Sequence, residues 1–538
     1  MYNVTASNFG EFSPKIRESL NRAKFVSFDC EFSGINSFEE TKVSLFDTVE
    51  DRYQILKSSI KRCIAIQVGL TTYNCDRDVN KYNAEVFNFY LFPNVAPGRD
   101  TVFEWRASAI EFLCSHKFDF NKLAYDGISY LNEEEEQELR RRVADNILLR
   151  NIERSVSYME EDKLKESYNR VAEWLKTSNV GEPMSLDAAS PMLEYLMQKE
   201  LRTRYPQIWT EPRHGKIILQ RVDKEMRTIL EEKEDNKLEE TLVNSYLGFS
   251  DIFKLIVSLK KPIVGHNVLL DLMFMHQQFY MPLPDKYNTF KNNIHRLFPT
   301  IYDTKHLSFE LKRLVQKKNL WESNGLATLY NYFKENRSQM LALNSPQISL
   351  CDEQSSETGR FHEAGWDSYC AGYCFIKLAH VFAISHYGGE TELRPLTNAE
   401  ILSGPKAHAN CINLIRARIS HVNLAGPDPI CARPQWLHVK SLGPNKMNIS
   451  QIAEMFSPYG AVDVKLLKRH QALVAVGNHG TARDILTRFR SSRDIQVAPY
   501  SLLRHSPALQ ILLWGGILVS GGALAWVMHR NLHKSSVS

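Results

Sequence analysis

The first part of the chain alternates apolar and polar residues at spacings that predict helices and strands. An amphipathic pattern over residues 8 to 22 predicts a short helix. An apolar, β-forming run begins at Phe25 and ends at Gly34, which predicts a buried strand. Apolar runs at 64–70 and 86–92 predict the next two strands of a meander, followed by a helix over 105–113.

The middle of the chain changes character twice. Residues 155–245 are charged and read as mostly helical. The pattern at 262–280 then predicts a short strand, a Gly-His-Asn turn and a helix, and 301–304 predicts the end of another strand. Residues 335–361 are rich in Ser, Gln and Glu, which predicts a mobile loop. An apolar helix is expected to begin near Asp367.

Residues 436–500 follow a β-α-β-β-α-β pattern. The predicted strands are Leu437–Val439, Val462–Leu467, Gln471–Val476 and Ile495–Ala498, and the predicted helices are Ile449–Phe456 and Thr481–Arg490.

Composition bounds the class of protein. A chain of 538 residues with 43% hydrophobic and 24% charged residues is expected to fold into two to four globular domains. Its net charge of +4 is too small to indicate nucleic-acid binding by itself. The nine cysteines include no Cys-x-x-Cys spacing, which fits a reducing compartment. Cys370 and Cys374 could share a helix face, and we interpret them as small buried residues rather than a zinc site or a disulfide.

The two ends of the sequence differ in hydrophobicity. Residues 1–10 are polar and lack the apolar core of a signal peptide. Residues 507–528 are almost wholly apolar and uncharged, with basic residues on both sides. A bilayer core requires about 20 apolar residues as a helix, so this segment predicts a transmembrane helix. Because it lies close to the end of the chain, the expectation is a tail-anchored, single-pass protein whose remaining residues face the cytosol.

Candidate chemistry begins with two acids in the strand that starts at Phe25. Asp29 and Glu31 are two residues apart, so a strand places both carboxylates on one face. Two neighbouring anions in an apolar strand stay ionised if a cation lies between them, and Mg²⁺ prefers carboxylate oxygens. The alternative is that one acid faces solvent at the end of the strand and the pair has no function.

Two later segments add acids and a histidine. Asp271 lies near the start of the helix after the Gly-His-Asn turn, and His362 precedes Asp367 by five residues. Either aspartate alone is typical of a helix cap or a first-turn acid. Asp303 could be mistaken for another ligand, but we interpret it as a structural, hydrogen-bonding acid. Four acids in this order with a histidine before the last are harder to explain as caps.

The three segments resemble the three motifs of the DEDD exonucleases, histidine subtype, in their poly(A)-specific ribonuclease branch. Strings typical of this branch are Val-Gly-His-Asn at 264–267, Met-Pro-Leu-Pro at 281–284 and His-Glu-Ala-Gly at 362–365. The resemblance covers nearly the whole chain. Within the branch, the chain is most similar to membrane-tethered relatives that trim precursors of PIWI-interacting RNA (piRNA).

The resemblance implies roles for these residues. Asp29, Glu31, Asp271 and Asp367 are the expected metal ligands, and His362 is the expected general base. The four acids are expected to hold two Mg²⁺ ions about 4 Å apart, with Mn²⁺ as the other candidate. The implied reaction removes 5′-nucleotides one at a time from single-stranded RNA with a free 3′-hydroxyl. Two alternatives stay open: a poly(A)-tail deadenylase, and a catalytically inactive RNA-binding scaffold on a membrane.

The resemblance also implies a domain organisation. We expect an RNase H-like α/β core, a mixed sheet with flanking helices, in two parts, residues 1–154 and 246–430. A degenerate helical insert at 155–245 is expected to interrupt it. That insert replaces a nucleic-acid-binding domain marked by an Arg-x-x-x-His motif, because Arg202 and Arg204 have no histidine at the motif's spacing. An α+β domain resembling an RNA-recognition motif is expected at 431–501, followed by the transmembrane helix at 507–528.

The expected partners follow from the same resemblance. They are single-stranded RNA, PIWI proteins with a Tudor-domain scaffold, and the outer mitochondrial or endoplasmic reticulum membrane, and the resemblance also allows a dimer. The domain at 431–501 has no aromatic residue in its expected third strand, and Leu466 stands where relatives place a cap-stacking tryptophan. We therefore favour a packing or protein-contact module there over an RNA-binding one.

Overall fold

The structure is a computed structural model of the 538-residue chain. It describes residues 1–34, 43–76, 80–96, 99–150, 158–188, 190–213, 216–234, 237–316, 320–335, 344–351, 360–387, 395–431, 433–443, 447–501, 511 and 519–528. The chain divides into two compact units: Met1–Ser37, Gln54–Asn413 and Asn423–Pro427 form the first unit, and Phe38–Tyr53, Leu414–Val422 and Asp428–Ser538 form the second.

The strands are numbered here in chain order. They are β1 (Tyr2–Val4), β2 (Phe25–Phe32), β3 (Ala65–Asp76), β4 (Lys81–Tyr90), β5 (Pro183–Asp187), β6 (Ile208–Arg213), β7 (Lys216–Arg221), β8 (Ile263–Gly265), β9 (Ile301–Asp303), β10 (Gln347–Leu350), β11 (Cys411–Asn413), β12 (His421–Asn423), β13 (Leu437–Ser441), β14 (Val462–Lys468), β15 (Gln471–Val476) and β16 (Ile495–Pro499).

The helices are numbered in the same way. They are α1 (Phe9–Arg22), α2 (Val49–Ile60), α3 (Ala107–Ser115), α4 (Phe120–Asp126), α5 (Glu133–Ala144), α6 (Ile147–Arg150), α7 (Tyr158–Thr177), α8 (Pro191–Arg204), α9 (Lys224–Glu234), α10 (Lys237–Leu247), α11 (Phe249–Leu259), α12 (Leu269–Met275), α13 (Tyr287–Leu297), α14 (Thr304–Leu314), α15 (Leu326–Lys334), α16 (Ala364–Tyr387), α17 (Asn398–Ser403), α18 (Ile449–Phe456) and α19 (His479–Arg488). A π-helical turn, His276–Tyr280, continues α12.

A mixed sheet forms the centre of the first unit, as predicted. Its order is β1-β4-β3-β2-β8-β9, with β10 beside β4. Strands β2, β3 and β4 form an antiparallel meander, whereas β8 lies parallel to β2 and β9 lies parallel to β8. Strand β2 is therefore internal, which agrees with its almost continuous burial. The predicted strand with Asp29 and Glu31 is confirmed at the middle of this sheet.

Helix α16 covers one face of the sheet. The ring of Phe25 stacks on Tyr73 at 4.7 Å and contacts Phe375 of the helix edge-on at 5.1 Å. Gly69 of β3 is required for the close approach of the helix, because a Cβ atom there would lie 1.8 Å from the carbonyl oxygen of Ala364. Since Gly69 pairs with Asp29 across the sheet, the helix begins beside the acidic strand.

The segment from 158 to 247 contains a sheet as well as helices. Strands β5, β7 and β6 form a three-stranded antiparallel sheet in that order, so the prediction of a helical insert is wrong on this point. Arg202 is buried, donates to Thr210 and Glu234, and lies 3.8 Å from the ring centroid of Trp209. This arginine therefore has a structural role in the segment.

The second unit contains a four-stranded antiparallel sheet of order β14-β15-β13-β16, with α18 and α19 packed around a core that includes Val439, Phe456 and Ile485. The predicted β-α-β-β-α-β order is confirmed, although the second helix begins at His479 rather than Thr481. Leu466 lies on β14 and is 42% exposed.

Two predicted segments lie partly outside the described residues. Within the predicted mobile loop at 335–361, residues 347–350 instead form strand β10, paired with β4. Of the predicted membrane segment at 507–528, the structure describes residue 511 and residues 519–528, and the latter are helical. In the described ranges of the chain, no helix has both the length and the apolar character needed to cross a bilayer.

Candidate active site

Three of the predicted acids meet at one point of the central sheet. Asp29, Glu31 and Asp367 each present a carboxylate oxygen, and these atoms all lie within 4.8 Å of one another. The first two come from β2 at alternate positions, as the strand period requires. Asp367 comes from the first turn of α16.

The start of α16 is held against the sheet by side chains from β3 and β4. The side-chain oxygen of Gln67 accepts the N–H of Ala364 at 3.0 Å, and that of Asn88 accepts the N–H of Gly365 at 3.0 Å. These bonds satisfy two of the N–H groups that a helix leaves without an internal partner. From β2, the Ser27 hydroxyl donates to the carbonyl of Ser368 at 2.6 Å. Asp367 is therefore placed by bonds to three strands.

Asp271 approaches the cluster from α12 and is almost fully buried. Its carboxylate accepts hydrogen bonds from the thiol and the backbone N–H of Cys30, the residue between Asp29 and Glu31. Burial raises the pKa of Asp271 to about 7 in spite of these bonds. Among neighbouring charges, that of Asp271 raises the pKa of Asp29 most, but Asp271 is not among the residues whose carboxylate oxygens meet within 4.8 Å.

Burial and mutual repulsion dominate the electrostatics. Burial raises the pKa of Asp29 well above its usual value, and the charges of Asp271, Asp367 and Glu31 raise it further. The pKa of Glu31 is also raised, first by burial and then by the charges of neighbouring acids, among them Glu363. The pKa of Asp367 is raised to about 7, chiefly by burial and against the effect of the His362 N–H. With protein atoms alone, ionising all these groups is therefore unfavourable.

A divalent cation fits this donor set. Hard cations prefer carboxylate oxygens, and a positive charge removes the repulsion among them. The Oδ1 atom of Asp367 is buried and accepts no hydrogen bond from any residue that the structure describes, so it is available as a ligand atom. Asp29, Glu31 and Asp367 would hold the ion, and Asp271 lies close enough to raise the pKa of Asp29.

His362 lies beside the cluster and is attached to it through its backbone. Its N–H donates to Oδ2 of Asp367 at 3.0 Å, and its φ angle is +68°. The imidazole packs edge-on against two rings, Phe112 at 4.8 Å and His116 at 4.3 Å. Partial burial, and then the charge of His116, lowers the pKa of His362 below its usual value. A neutral imidazole in this position can accept a proton.

Asp303 is a structural acid, as predicted. It is fully buried and caps α14, accepting the N–H groups of Lys305 and His306. Its carboxylate also accepts the N–H groups of Asn267 and Asn413, each at 2.9 Å. Four backbone donors account for this buried charge without a metal ion. Cys370 and Cys374 are buried and free, in agreement with the interpretation as small core residues.

The sequence interpretation missed several residues that shape the site. Gln67 and Asn88 are polar residues inside apolar strands, and that contrast was a usable signal. Glu363 accepts a hydrogen bond from Asn88 and lies close enough to raise the pKa of both Glu31 and Asp367. The contact between His116 and His362 joins residues far apart in the chain, and no local pattern indicates it.

Clustered carboxylates in a mixed sheet, with a histidine tied to one of them, define the class of metal-dependent hydrolases that act on phosphodiesters. The sequence comparisons agree with this class. The profile of the CAF1 family ribonucleases matches residues 4–375. The chain belongs to this family and is a divalent-metal-dependent 3′–5′ exoribonuclease.

Individual relatives extend the likeness beyond the catalytic core. The pre-piRNA 3′-exonuclease trimmer of Bombyx mori is 36% identical over 535 residues, covering 98% of both chains. Poly(A)-specific ribonuclease PNLDC1 of Mus musculus is 30% identical, covering 95% of this chain and 96% of its own. Poly(A)-specific ribonuclease PARN of Xenopus laevis is 31% identical, covering 88% of this chain and 76% of its own.

Among solved structures, Schizosaccharomyces pombe Pop2p in its Mg²⁺- and Mn²⁺-bound form matches 74% of this chain and 98% of its own. The sequence identity is 14% and the TM-score is 0.34.

Proposed function

We propose that this protein trims the 3′ ends of single-stranded RNA, and that its substrates are piRNA precursors. The observation that carries the proposal of catalysis is the meeting of Asp29, Glu31 and Asp367 within 4.8 Å beside His362. The choice of substrate is supported by the likeness to the Bombyx mori trimmer along 98% of both chains.

In this proposal Asp29, Glu31, Asp271 and Asp367 are the metal ligands and His362 is the general base. Bound Mg²⁺ or Mn²⁺, in a pair, supplies Lewis-acid activation of water and neutralises charge at the scissile phosphate. The His362 imidazole accepts the proton of the attacking water, and Asp367 orients this histidine through its backbone N–H. The products are 5′-nucleotides and an RNA shortened by one residue. The buried carboxylates require the terminal ribose to enter the site, so duplex ends fit badly.

The test of substrate class compares RNA 3′ ends in cells with and without the protein. Longer small RNAs in its absence, restored by the wild type but not by Asp29→Asn, support trimming. If small-RNA lengths are unchanged while messenger poly(A) tails lengthen, the deadenylase alternative, which the PARN relatives favour, replaces this proposal. A purified protein that binds RNA but never shortens it indicates the inactive scaffold. The presence of all four acids and the histidine in the sequence argues against that alternative.

We propose that residues 155–245 and 431–501 serve mainly in packing and protein contacts. In the first segment the arginines already lie on aromatic rings, Arg202 on Trp209 and Arg204 on Tyr168, which leaves less aromatic surface for bases. In the second, which we interpret as RRM-like, Leu466 offers no flat π-surface for a methylated guanine. Crosslinking of bound RNA outside the exonuclease core would contradict this assignment.

We propose that the apolar segment 507–528 anchors the protein in the outer mitochondrial or endoplasmic reticulum membrane, with the nuclease facing the cytosol. This proposal is supported by the sequence, because the segment is apolar and uncharged and has basic residues on both sides. Anchoring would bring the enzyme to RNA carried by PIWI proteins and a Tudor-domain scaffold.

Deletion of 507–538 tests the anchor. It is expected to preserve cutting of naked RNA, release the protein from membranes and impair trimming in cells. If the truncated protein still resists alkaline carbonate extraction, the anchor lies elsewhere. Light scattering of the same soluble protein decides between monomer and dimer.

A further inference from the structure

Three aromatic side chains form a closed group next to the start of α16, the helix that carries Asp367. Phe112 and His116 lie at the C-terminal end of α3, and His362 precedes α16. The ring centroids of Phe112 and His116 are 4.5 Å apart, and those of His116 and His362 are 4.3 Å apart. We name this the ring cluster. It is the contact through which α3 reaches the proposed base.

His116 is fixed more firmly than its position on the surface suggests. Its backbone N–H donates to the carbonyl of Phe112 at 3.2 Å, and its Nδ1 lies 2.8 Å from the same oxygen. A carbonyl oxygen only accepts, so Nδ1 carries the proton and donates it. Backbone and ring are therefore bound to one atom of α3, which restricts rotation of the imidazole. The Ser115 hydroxyl, 3.1 Å from Nδ1, lies on the same side.

His362 needs such support, because its own segment provides little. The residue is partly exposed and has a left-handed backbone conformation, and its N–H is bound to Asp367. That bond fixes the backbone but leaves the torsions of the side chain free. A general base must be held within hydrogen-bond reach of the proton that it accepts, and small displacements of such a group slow the reaction strongly.

We propose that His116 is a positioning residue for the exonuclease reaction, because its ring packs on the His362 imidazole and restricts the orientations of that side chain. The proposal rests on the proposed function, in which His362 is the base. His116 is not one of the clustered metal-ligand candidates, and its proposed role is exerted through the contact with His362. Phe112 forms the second side of the same support.

The test is a double-mutant cycle on steady-state RNA shortening with the full-length protein. We expect His116→Ala to lower kcat about tenfold and to leave KM within about twofold, since alignment and not RNA affinity is lost. His116→Phe keeps a planar ring and is expected to stay within about threefold of the wild type. His386→Ala, on the exposed last turn of α16, is the control and should change neither constant.

The decisive comparison is made in the His362→Ala background. If His116 acts through His362, His116→Ala has no further effect there. An additive loss, an effect confined to KM, or a His116→Phe protein as slow as His116→Ala would overturn the proposal. Should His116→Ala fail to fold, His116→Leu, which has volume but no ring, is compared with His116→Phe, and equal rates overturn it.

Failure of the proposed function gives a different result. If the Asp29→Asn protein retains full activity, the metal site is refuted. The double-mutant cycle of His116 and His362 can still be interpreted in that case. If His362→Ala retains full activity, His362 is not the base and the positioning role falls with it.

Discussion

At the scale of single residues, Asp29 and Asp303 show how the same side chain is buried in two ways. Asp303 accepts four backbone N–H groups, so its charge is satisfied by the protein. Asp29 instead faces other carboxylates, and burial and their charges raise its pKa. A buried acid surrounded by other acids indicates a ligand from outside the chain, whereas one that accepts several backbone hydrogen bonds indicates a structural role.

This contrast predicts opposite effects of the same substitution. Asp29→Asn should abolish RNA shortening, raise the melting temperature measured in EDTA, and remove the stabilisation that Mg²⁺ gives the wild type, because one repelling carboxylate is lost. Asp303→Asn should instead lower stability by about 1–3 kcal/mol, since a charged acceptor of four bonds is replaced. Thermal melts with and without Mg²⁺ measure both. A lower melting temperature for Asp29→Asn in EDTA would contradict the interpretation that the clustered carboxylates repel one another without metal.

A pH prediction follows from His276. This side chain is fully buried, and its Nδ1 donates to the carbonyl of Met281 while Nε2 accepts from Asn293. Burial lowers its pKa to about 4. Since the unfolded chain takes up this proton near pH 6.5 and the folded chain does not, acidification between these values favours unfolding.

The measurement compares the wild type with His276→Gln, which cannot titrate at this position. From pH 7 to pH 5 the wild type should lose about 2 kcal/mol more unfolding free energy than the variant. Only the difference between the proteins is informative, because the active-site acids titrate in the same range with the opposite sign. Parallel pH profiles for the two proteins would mean that His276 takes up its proton equally in both states.

At the scale of elements, the close contact between β3 and α16 decides where Asp367 lies. Gly69→Ala would place a methyl group against the backbone of Ala364, which cannot rotate away as a side chain can. We expect a loss of about 3 kcal/mol and a weaker stabilisation by Mg²⁺, because the helix start must move. Gly10→Ala is the matched control. Nothing lies within 4 Å of its added Cβ, and in α1 it should add about 0.5–1 kcal/mol. Equal melting temperatures of the two variants would refute the close-contact argument.

The elements also show what sequence patterns could and could not predict. Strand β2, the meander and the 431–501 domain were predictable because their strands contain runs of apolar, β-forming residues. Strand β10 was missed because it is short, only half-buried and surrounded by polar residues. The β5-β7-β6 sheet was missed because its strands are short and their apolar residues lie between charged ones, as in Lys216–Arg221.

For the site, the acids could be predicted from the sequence but the residues that support them could not. Its acids lie in short motifs, so their identity was readable from the sequence, and the burial of Asp303 agrees with the role assigned to it. The supports provided by Gln67, Asn88 and His116 depend on contacts between distant segments, and such contacts leave no local signature.

At the scale of the whole molecule, the question is whether the 431–501 domain guides the nuclease to capped RNA. Leu466 is exposed on β14 and is aliphatic, so we expect capped and uncapped RNAs of equal length to be shortened at the same rate. The measurement is a competition between the two RNAs in one reaction. Faster shortening of the capped RNA that is lost on mutating residues 436–500 would overturn this expectation.

The distance along the chain between the acids has a consequence for biosynthesis. Asp367 follows Glu31 by 336 residues, so the ribosome needs roughly 15 to 70 s between them. Throughout this interval the nascent chain carries Asp29 and Glu31 without Asp367, and strand β2 lacks its parallel neighbour until residues 263–265 have emerged. A chain released before Asp367 is made therefore lacks one of the three clustered carboxylates. The messenger that encodes this nuclease, and the translating ribosome itself, meet no complete active site until synthesis has passed α16.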